Sequence, residues 1–285
     1  MRQFFIENEY GDRVQLQGGD VFFYAPEGLG YEDDIEYMHA EGFFLPVTDN
    51  HAQVPITGTL IFIPNDAYAN YQSVMNWILS AQTLVLAYKP LNTWYYRRVH
   101  VQEVQKSELT VMRHLEVPVT FMPLSPIYTP QNMNISIEGS DTYNNKTYTY
   151  TYPYRYANTN IAGQVEFTVN AQEPCDFRLT LKGAISAPIV TIRRLDTGAV
   201  IGKVDMSAMS AQLGESLVFS TVVGESGVKL ITPTGTQDMT PFINFTAYDT
   251  FFRIPPNVPC RMELEATTLL GTSATLQVLR YFRTV

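Results

Sequence analysis

The first 125 residues are dominated by an alternation of apolar and polar positions. Four apolar side chains fall on one face at period two: Val54, Ile56, Leu60 and Phe62. The other face carries Thr57, Thr59, Ile61 and Ile63. Val99 and Val101 alternate with polar residues, and after a polar break at 106–108 the alternation resumes over 115–121. Period-two alternation predicts half-buried strands. Two such runs joined by a short polar break predict a long hairpin.

One segment between these strands has helical spacing instead. Its apolar residues recur at steps of three and four: Tyr68, Tyr71, Met75, Ile78 and Leu79. Asn65 or Asp66 is placed to cap the first turn. The pattern predicts one helix over about 66–82 that packs its apolar stripe on a sheet.

The second half of the chain resumes as short strands after a break. Prolines cluster between 118 and 130, and residues 131–145 are rich in Asn, Ser, Gly and Asp, which is typical of a boundary. Beyond it, short alternating runs follow, including a hairpin pattern about Gly224 and Gly227. Many short strands with regular turns predict a β-sandwich. The chain is therefore predicted to be mainly β, with one domain over 1–130 and another over 131–285.

Five tyrosines alternate just after this boundary, so in a strand their rings would share one face: Tyr148, Tyr150, Tyr152, Tyr154 and Tyr156. Flat rings of this kind stack on the apolar faces of sugars. Aromatic strand faces are, however, more often packing surfaces with their hydroxyls at the rim, and we favour that interpretation.

Composition narrows the classes of partner. The net charge is −9, and no basic footprint is present that would neutralise phosphates, so sequence-specific nucleic-acid binding is not expected. An acidic surface remains compatible with a conduit through which DNA slides. No apolar run approaches the roughly 20 residues of a membrane helix, and the first residues do not resemble a signal peptide. Only 16% of residues are charged and 13% are aromatic, which favours a folded protein with adhesive surfaces.

Motifs that carry enzyme chemistry were not found. The four histidines lack metal-ligand spacing, and no nucleophile elbow, dinucleotide loop or phosphate loop occurs, so we expect neither an enzyme nor a cofactor or metal. Cys175 and Cys260 are far apart, and thiols of a cytosolic protein stay reduced, so a disulfide is not favoured. The densest acidic cluster lacks the order of a calcium loop, and we interpret it as a solvated loop: Glu32, Asp33, Asp34 and Glu36.

Several motifs, in order along the chain, resemble one family. Residues 4–16 resemble the first hairpin of the distal tail proteins of long-tailed phages, and 26–31 (PEGLGY) resemble an early segment of that family. The strand 56–62 and the hairpin from 95–99 through 106–108 are similar as well. Residues 125–128 (SPIY) depart from the family pattern at Ile127, where tryptophan is usual, and 251–256 are followed by Asn257 in place of glycine. Residues 183–189 and 214–217 resemble the family's galectin-like second domain.

The resemblance implies a structural protein of the virion tail tip, assembled in the cytoplasm of the host bacterium. Its first domain would be a split barrel like that of tail-tube proteins, and its second a galectin-like or carbohydrate-binding-module-like β-sandwich. Six copies would form a hexameric ring that joins the tail tube to the tip, baseplate and host-adhesion device and lets DNA pass. The implied partners are further copies of the chain, the tail-tube protein, the tape-measure protein, the tail-associated hub or lysin protein and a receptor-binding protein, with no membrane partner.

Two groups of residues are candidates for contacts in the ring or its lumen. The first is the acidic cluster; the second comprises Val101, Glu103, Lys106 and Glu108. The alternative interpretation is a receptor-binding adhesin that uses the β-sandwich as a carbohydrate-binding module, with the five tyrosines as its aromatic face. A cell-wall hydrolase is a third class, which the missing catalytic motifs argue against.

Overall fold

The computed structural model describes residues 2–63, 66–137 and 161–284. Contacts divide the chain into two compact units, which we call unit 1 (Met1–Thr129 with Tyr281–Val285) and unit 2 (Pro130–Arg280). The described part is mainly β, its strand pairing is largely antiparallel, and it contains one α-helix, as predicted. Sequence reasoning placed all of 131–285 in the second domain, whereas the last residues lie with unit 1.

Most strands of unit 1 pair in one continuous order. Its strands are β1 (Gln3–Asn8), β2 (Arg13–Gln15), β3 (Gln17–Gly18), β4 (Val21–Glu27), β5 (Asp33–Ala40), β6 (Phe43–His51), β7 (Ile56–Phe62), β8 (Leu84–Lys89), β9 (Tyr95–Val104) and β10 (Leu115–Pro123). The order runs β2–β1–β8–β9–β10–β7–β4–β3. The backbone N–H of Leu16 donates to Phe4 O, and that of Phe23 donates to Leu16 O, so the two ends of the order meet.

Aromatic rings occupy the core of unit 1. The ring of Phe23 lies edge-on to Phe4 at 5.4 Å and to Phe121 at 5.8 Å, between ring centroids. The predicted alternation is confirmed in β7 and β10, where every second side chain is buried: Ile56, Leu60, Phe62, Leu115, Val117, Val119 and Phe121. The predicted hairpin of β9 and β10 is also confirmed, with a register shift between Thr120 and Phe121.

The helix α1 spans Ala67–Ser80, within the predicted range, and buries Met75 and Ile78. The capping prediction is wrong for Asp66, whose side chain makes no capping hydrogen bond. A capping side chain needs an extended backbone to reach the first turn, and Asp66 is left-handed, with φ 68°. Leu79 is 81% exposed, against the predicted stripe. Leu79 projects about 100° around the helix axis from Ile78, because successive residues differ by that angle. The sheet covers the face of the helix that carries Ile78.

Unit 2 contains two sets of paired strands. The elements are β12 (Ile161–Thr168), β13 (Glu173–Ser186), β14 (Ile189–Arg194), β15 (Val200–Asp205), β16 (Ser210–Ala211), β17 (Ser216–Ser220), β18 (Gly227–Thr232), β19 (Gly235–Asp238), a 3-10 helix (Thr240–Phe242) and β20 (Pro259–Glu265). β11 (Ile127–Ile137) and β21 (Thr268–Phe282) each extend across the boundary between the units along the chain. One set runs β12–β20–β14–β15, and the other joins β21, β13, β17, β18 and β19.

The two sets share one hydrophobic core. Phe177 and Leu179 of β13 and Ile192 of β14 are fully buried in the same cluster. Cys175 and Cys260 are also buried there, and neither is in a disulfide. Burial raises the pKa of Cys260 to about 11 because it disfavours the thiolate.

Candidate assembly surface

The strands β5 and β6 form a two-stranded sheet separate from the other pairings of unit 1. Glu41 and Gly42 connect them, both with positive φ (48° and 85°). Two left-handed residues between paired strands are the geometry of a tight hairpin turn whose twist matches that of the strands. A register shift between Glu36 and Tyr37 marks a bulge. We call residues 33–51 the β5–β6 hairpin.

This hairpin exposes an unusual amount of apolar surface. The exposed side chains are Tyr37, Met38, Phe43, Phe44, Leu45 and Val47. Phe43 is 71% and Phe44 is 70% exposed. An isolated two-stranded hairpin is at best marginally stable in water, because it cannot build a core of its own. Contiguous exposed apolar surface usually marks an interaction site.

Both faces of the hairpin carry apolar groups. Met38 pairs directly with Leu45, whereas Tyr37 pairs with Pro46 on the opposite face. On that second face, the ring of His39 lies 5.3 Å from the ring of Phe44, between centroids. A hairpin with apolar side chains on both faces is better suited to be covered by a partner than to pack one face on its own unit.

The acidic cluster lies at the base of this hairpin. Its members other than Asp33 are exposed, as expected of a solvated segment, but the prediction of a loop is wrong from Asp33 onward. Asp33, Asp34 and Glu36 belong to β5 and pair with residues 48–51, because the tight turn fixes the register of both strands. Asp33 is the partly buried member: its carboxylate lies 2.9 Å from His51 Nδ1 and 3.6 Å from Arg283 Nη1. These contacts join the base of the hairpin to the end of unit 1.

The second predicted group lies on a different element. Val101 and Glu103 are in β9, and Lys106 and Glu108 are in the connection between β9 and β10. The hydroxyl of Tyr68 on α1 donates to Glu108 Oε2 at 2.5 Å, and Lys106 Nζ lies 5.3 Å from the centroid of the same ring. The Glu108 carboxylate raises the pKa of Tyr68. The connection is therefore held against the helix.

The tip of this connection presents a second apolar group to solvent. Val111 is fully exposed and Met112 largely so. The backbone N–H of Thr110 donates to His114 O at 2.9 Å, and the N–H of Arg113 donates to Thr110 O at 2.8 Å. These bonds close a compact turn, so the two apolar side chains are presented on an ordered loop.

Residues 3–124 match the family model of the distal tail protein, N-terminal domain. Residues 3–124 therefore form a distal tail protein N-terminal domain. The match confirms, for this part of the chain, the predicted resemblance to the distal tail proteins, a family of structural, non-enzymatic components of the phage tail tip and baseplate. No curated protein matches the sequence.

Solved phage structures share the fold over the whole or nearly the whole length of the chain. A chain of the phage P2 baseplate in its activated conformation with calcium matches with a TM-score of 0.72 and 19% identity, covering 100% of both chains. The strontium form of that baseplate gives 0.71 and 19%, again over both whole chains. The Dit protein (gp 19.1) of phage SPP1 gives 0.57 and 10%, covering 97% of this chain and 98% of that one.

Sequence reasoning found the acidic base of the β5–β6 hairpin but missed its apolar surface. The residues 43–47 form an unbroken run, FFLPV, without the alternation that identifies a half-buried strand. The available signal was the Glu41–Gly42 pair between two apolar segments. The five tyrosines at 148–156 lie outside the described residues.

Other kinds of site were sought over the same described ranges. They contain no cluster of three or more His, Cys, Asp or Glu side chains that could hold a metal ion. Their single α-helix has 14 residues, and no helix there is long and apolar enough to cross a membrane.

Proposed function

We propose that the chain is a distal tail protein that forms a hexameric ring, joins the tail tube to the tail tip and lets DNA pass. The exposed apolar β5–β6 hairpin is the observation that carries the proposal. A ring requires a heterologous interface, in which one surface of each copy meets a different surface of the next. A protruding two-stranded segment with large apolar side chains on both faces is suited to reach across such an interface.

The strand arrangement of each unit supports the domain types that the family resemblance implies. In unit 1 the strand order closes on itself, which supports a split barrel of the tail-tube type that continues the tube. In unit 2 two sets of strands enclose one core, which supports a galectin-like β-sandwich. The ring would contact the tail-tube protein on one side and the hub or lysin protein on the other, with the tape-measure protein inside. A receptor-binding protein would attach at the periphery.

The charge supports a conduit rather than a binder of DNA. The net charge of −9 disfavours adhesion of the phosphate backbone to the protein. Exposed carboxylates that line the lumen would repel the phosphate backbone. The candidates are Glu32, Asp34 and Glu36 of the acidic cluster and Glu103 of the second group. Charge reversal of either group should alter ring formation or DNA ejection; unchanged assembly and infectivity in both would argue against these residues.

Light scattering of the full chain, followed by negative-stain imaging, tests the ring directly. The expected mass is six times the 32.3 kDa of one chain, with a central hole in the images. The double variant Phe43→Asp/Phe44→Asp should shift the mass to the monomer, because it places charge on the apolar surface. Tyr10→Asp is the matched control, since Tyr10 is equally exposed but lies in the turn after β1.

Two results would contradict the proposal. One is a wild-type chain that stays monomeric at high concentration even when the tail-tube protein is added. The other is a ring that forms equally well with both aspartates in the hairpin, which would move the interface to another surface.

A further inference from the structure

A segment of unit 2 exposes four aromatic side chains at every third position: Phe242, Phe245, Tyr248 and Phe251. Phe245 is 73% exposed and Tyr248 is 49% exposed. Ile243 in the same segment is buried and anchors it to the core. We call residues 242–251 the aromatic segment.

The aromatic segment is fixed along the edge of β15. The backbone N–H of Asn244 donates to Asp205 O at 2.9 Å, and the N–H of Lys203 donates to Asp249 O at 3.1 Å. At its end the ring of Phe251 stacks on Phe219, with 5.9 Å between centroids. The exposed rings are thus carried by an ordered backbone, which lowers the entropic cost of binding.

A fixed polar cluster joins Asn244 of the same segment to Asp205 at the end of β15 and to Ser207. Asp205 Oδ1 accepts from the backbone N–H of Ser207 at 3.0 Å and from its hydroxyl at 2.6 Å, and Asn244 Nδ2 lies 2.8 Å from Ser207 Oγ. Burial raises the pKa of Asp205, but the hydrogen bonds from Ser207 and Asn244 and the charge of Lys203 outweigh it, so the net pKa is lowered. Within the described part of the chain, no donor occupies Asp205 Oδ2 or Asn244 Oδ1.

We infer that the aromatic segment, together with Asp205 and Asn244, is a binding site for a neutral carbohydrate. A pyranose has an apolar face of C–H groups and a rim of hydroxyls. The face would stack on the ring of Phe245 or Tyr248, and the hydroxyls would donate to the two unoccupied oxygens. Small sites of this kind combine aromatic surface with a few fixed polar groups that provide specificity.

The chemistry of this surface favours a sugar over a protein. Its large exposed apolar side chains are all rings with few rotatable bonds, next to short polar groups held in place. The β5–β6 hairpin, by contrast, mixes its rings with Met38, Leu45 and Val47, which adapt to an irregular protein surface. The inference goes beyond the ring function and does not depend on it.

Saturation-transfer NMR on the full chain tests the inference, because it detects binding in the millimolar range. The probes are methyl glycosides of glucose, galactose, mannose, rhamnose and N-acetylglucosamine, followed by their short oligosaccharides. At least one should receive saturation on its ring protons. Phe245→Ala, Tyr248→Ala and Asp205→Asn should each weaken that transfer about tenfold, whereas Leu213→Ala, an exposed apolar residue of unit 2 elsewhere, should not.

Two outcomes would overturn the inference. One is the absence of transfer to every probe on an intact chain with an unchanged melting temperature. The other is transfer that persists in Phe245→Ala and Asp205→Asn. If no probe binds and Phe245→Ala changes the mass of the assembly, the surface is a protein contact. The hairpin variant Phe43→Asp/Phe44→Asp should keep sugar binding, so failure of the ring and failure of the sugar site are distinguishable.

Discussion

Two hairpins of unit 1 have the same kind of strand pairing but differ in the burial of their apolar side chains. Both β9–β10 and β5–β6 are antiparallel, and each contains one register shift. On their outer edges β9 and β10 pair with β8 and β7, and one face of β10 is fully buried. The β5–β6 hairpin has only its own two strands, and its large apolar side chains are exposed. Pairing alone therefore does not decide where apolar surface is buried.

The difference has an energetic meaning. Burial of a large apolar side chain contributes about 1.5–3 kcal/mol. For Phe121 of β10 this contribution is obtained when the chain folds. For Phe43 of the β5–β6 hairpin it becomes available only when a partner covers the surface, so it stabilises the assembly rather than the single chain.

The largest expected effect comes from making the same substitution in both hairpins. Phe121→Ala should lower the free energy of unfolding of unit 1 by about 3–5 kcal/mol, because it leaves a cavity in the core. Phe43→Ala should change it by less than about 0.5 kcal/mol. Urea unfolding at monomeric concentrations measures both, and tryptophan fluorescence reports on unit 1 because Trp77 and Trp94 both lie there. Equal destabilisation by the two variants would break the comparison.

The buried thiols extend the comparison to unit 2. With its pKa near 11, Cys260 is ionised to roughly one part in a thousand at pH 8, so alkylation of the folded chain should be very slow. Modification of Cys175 and Cys260 should become rapid in denaturant. Mass spectrometry after timed exposure to iodoacetamide measures the two rates. Fast labelling of the native chain would show that this core opens more readily than the burial indicates.

A smaller effect is expected at the base of the β5–β6 hairpin. Asp33→Asn weakens the contacts with His51 and Arg283, and a partly exposed ion pair contributes up to about 1 kcal/mol. Amide exchange in residues 33–51 should accelerate by up to about fivefold. Asp34→Asn is the control, because Asp34 is exposed in the same strand. Equal acceleration by both variants would show that the Asp33 contacts do not hold the base.

The smallest effect concerns the loop of the β9–β10 hairpin. Glu108→Gln should lower the pKa of Tyr68 towards its ordinary value, because the carboxylate that retains the phenolic proton is lost. NMR titration of labelled tyrosine measures the shift. Glu103→Gln, on the same hairpin, should leave the pKa of Tyr68 unchanged. An unaltered titration in Glu108→Gln would show that the loop does not rest on α1 in solution.

Sequence reasoning predicted the elements whose residue pattern is set by the burial of one face. The strands β7 and β10 were predicted because one face is buried and the other is not, which enforces period two. The helix was predicted from its spacing, but its cap was not, since the left-handed backbone at Asp66 is set by the chain that enters the helix. The acidic start of β5 was misjudged because carboxylates have low strand propensity, which cross-strand pairing overrides.

The functional surfaces were harder to predict for a related reason. A strand with apolar side chains on both faces, such as 43–47, has no polar face in the sequence to mark it. The aromatic segment has no regular secondary structure, so its spacing of three residues corresponds to no helix or strand pattern. Its polar partner Asp205 comes from β15, almost 40 residues earlier, and only folding brings the two together.

The return of the chain to unit 1 sets an order of events during synthesis. The ring of Phe282 lies edge-on to Tyr95 at 5.8 Å, and Arg283 contacts Asp33. On the ribosome, these contacts cannot form until all of unit 2 has been translated. A nascent chain therefore holds its β5–β6 hairpin without this brace until its last residues have left the ribosome.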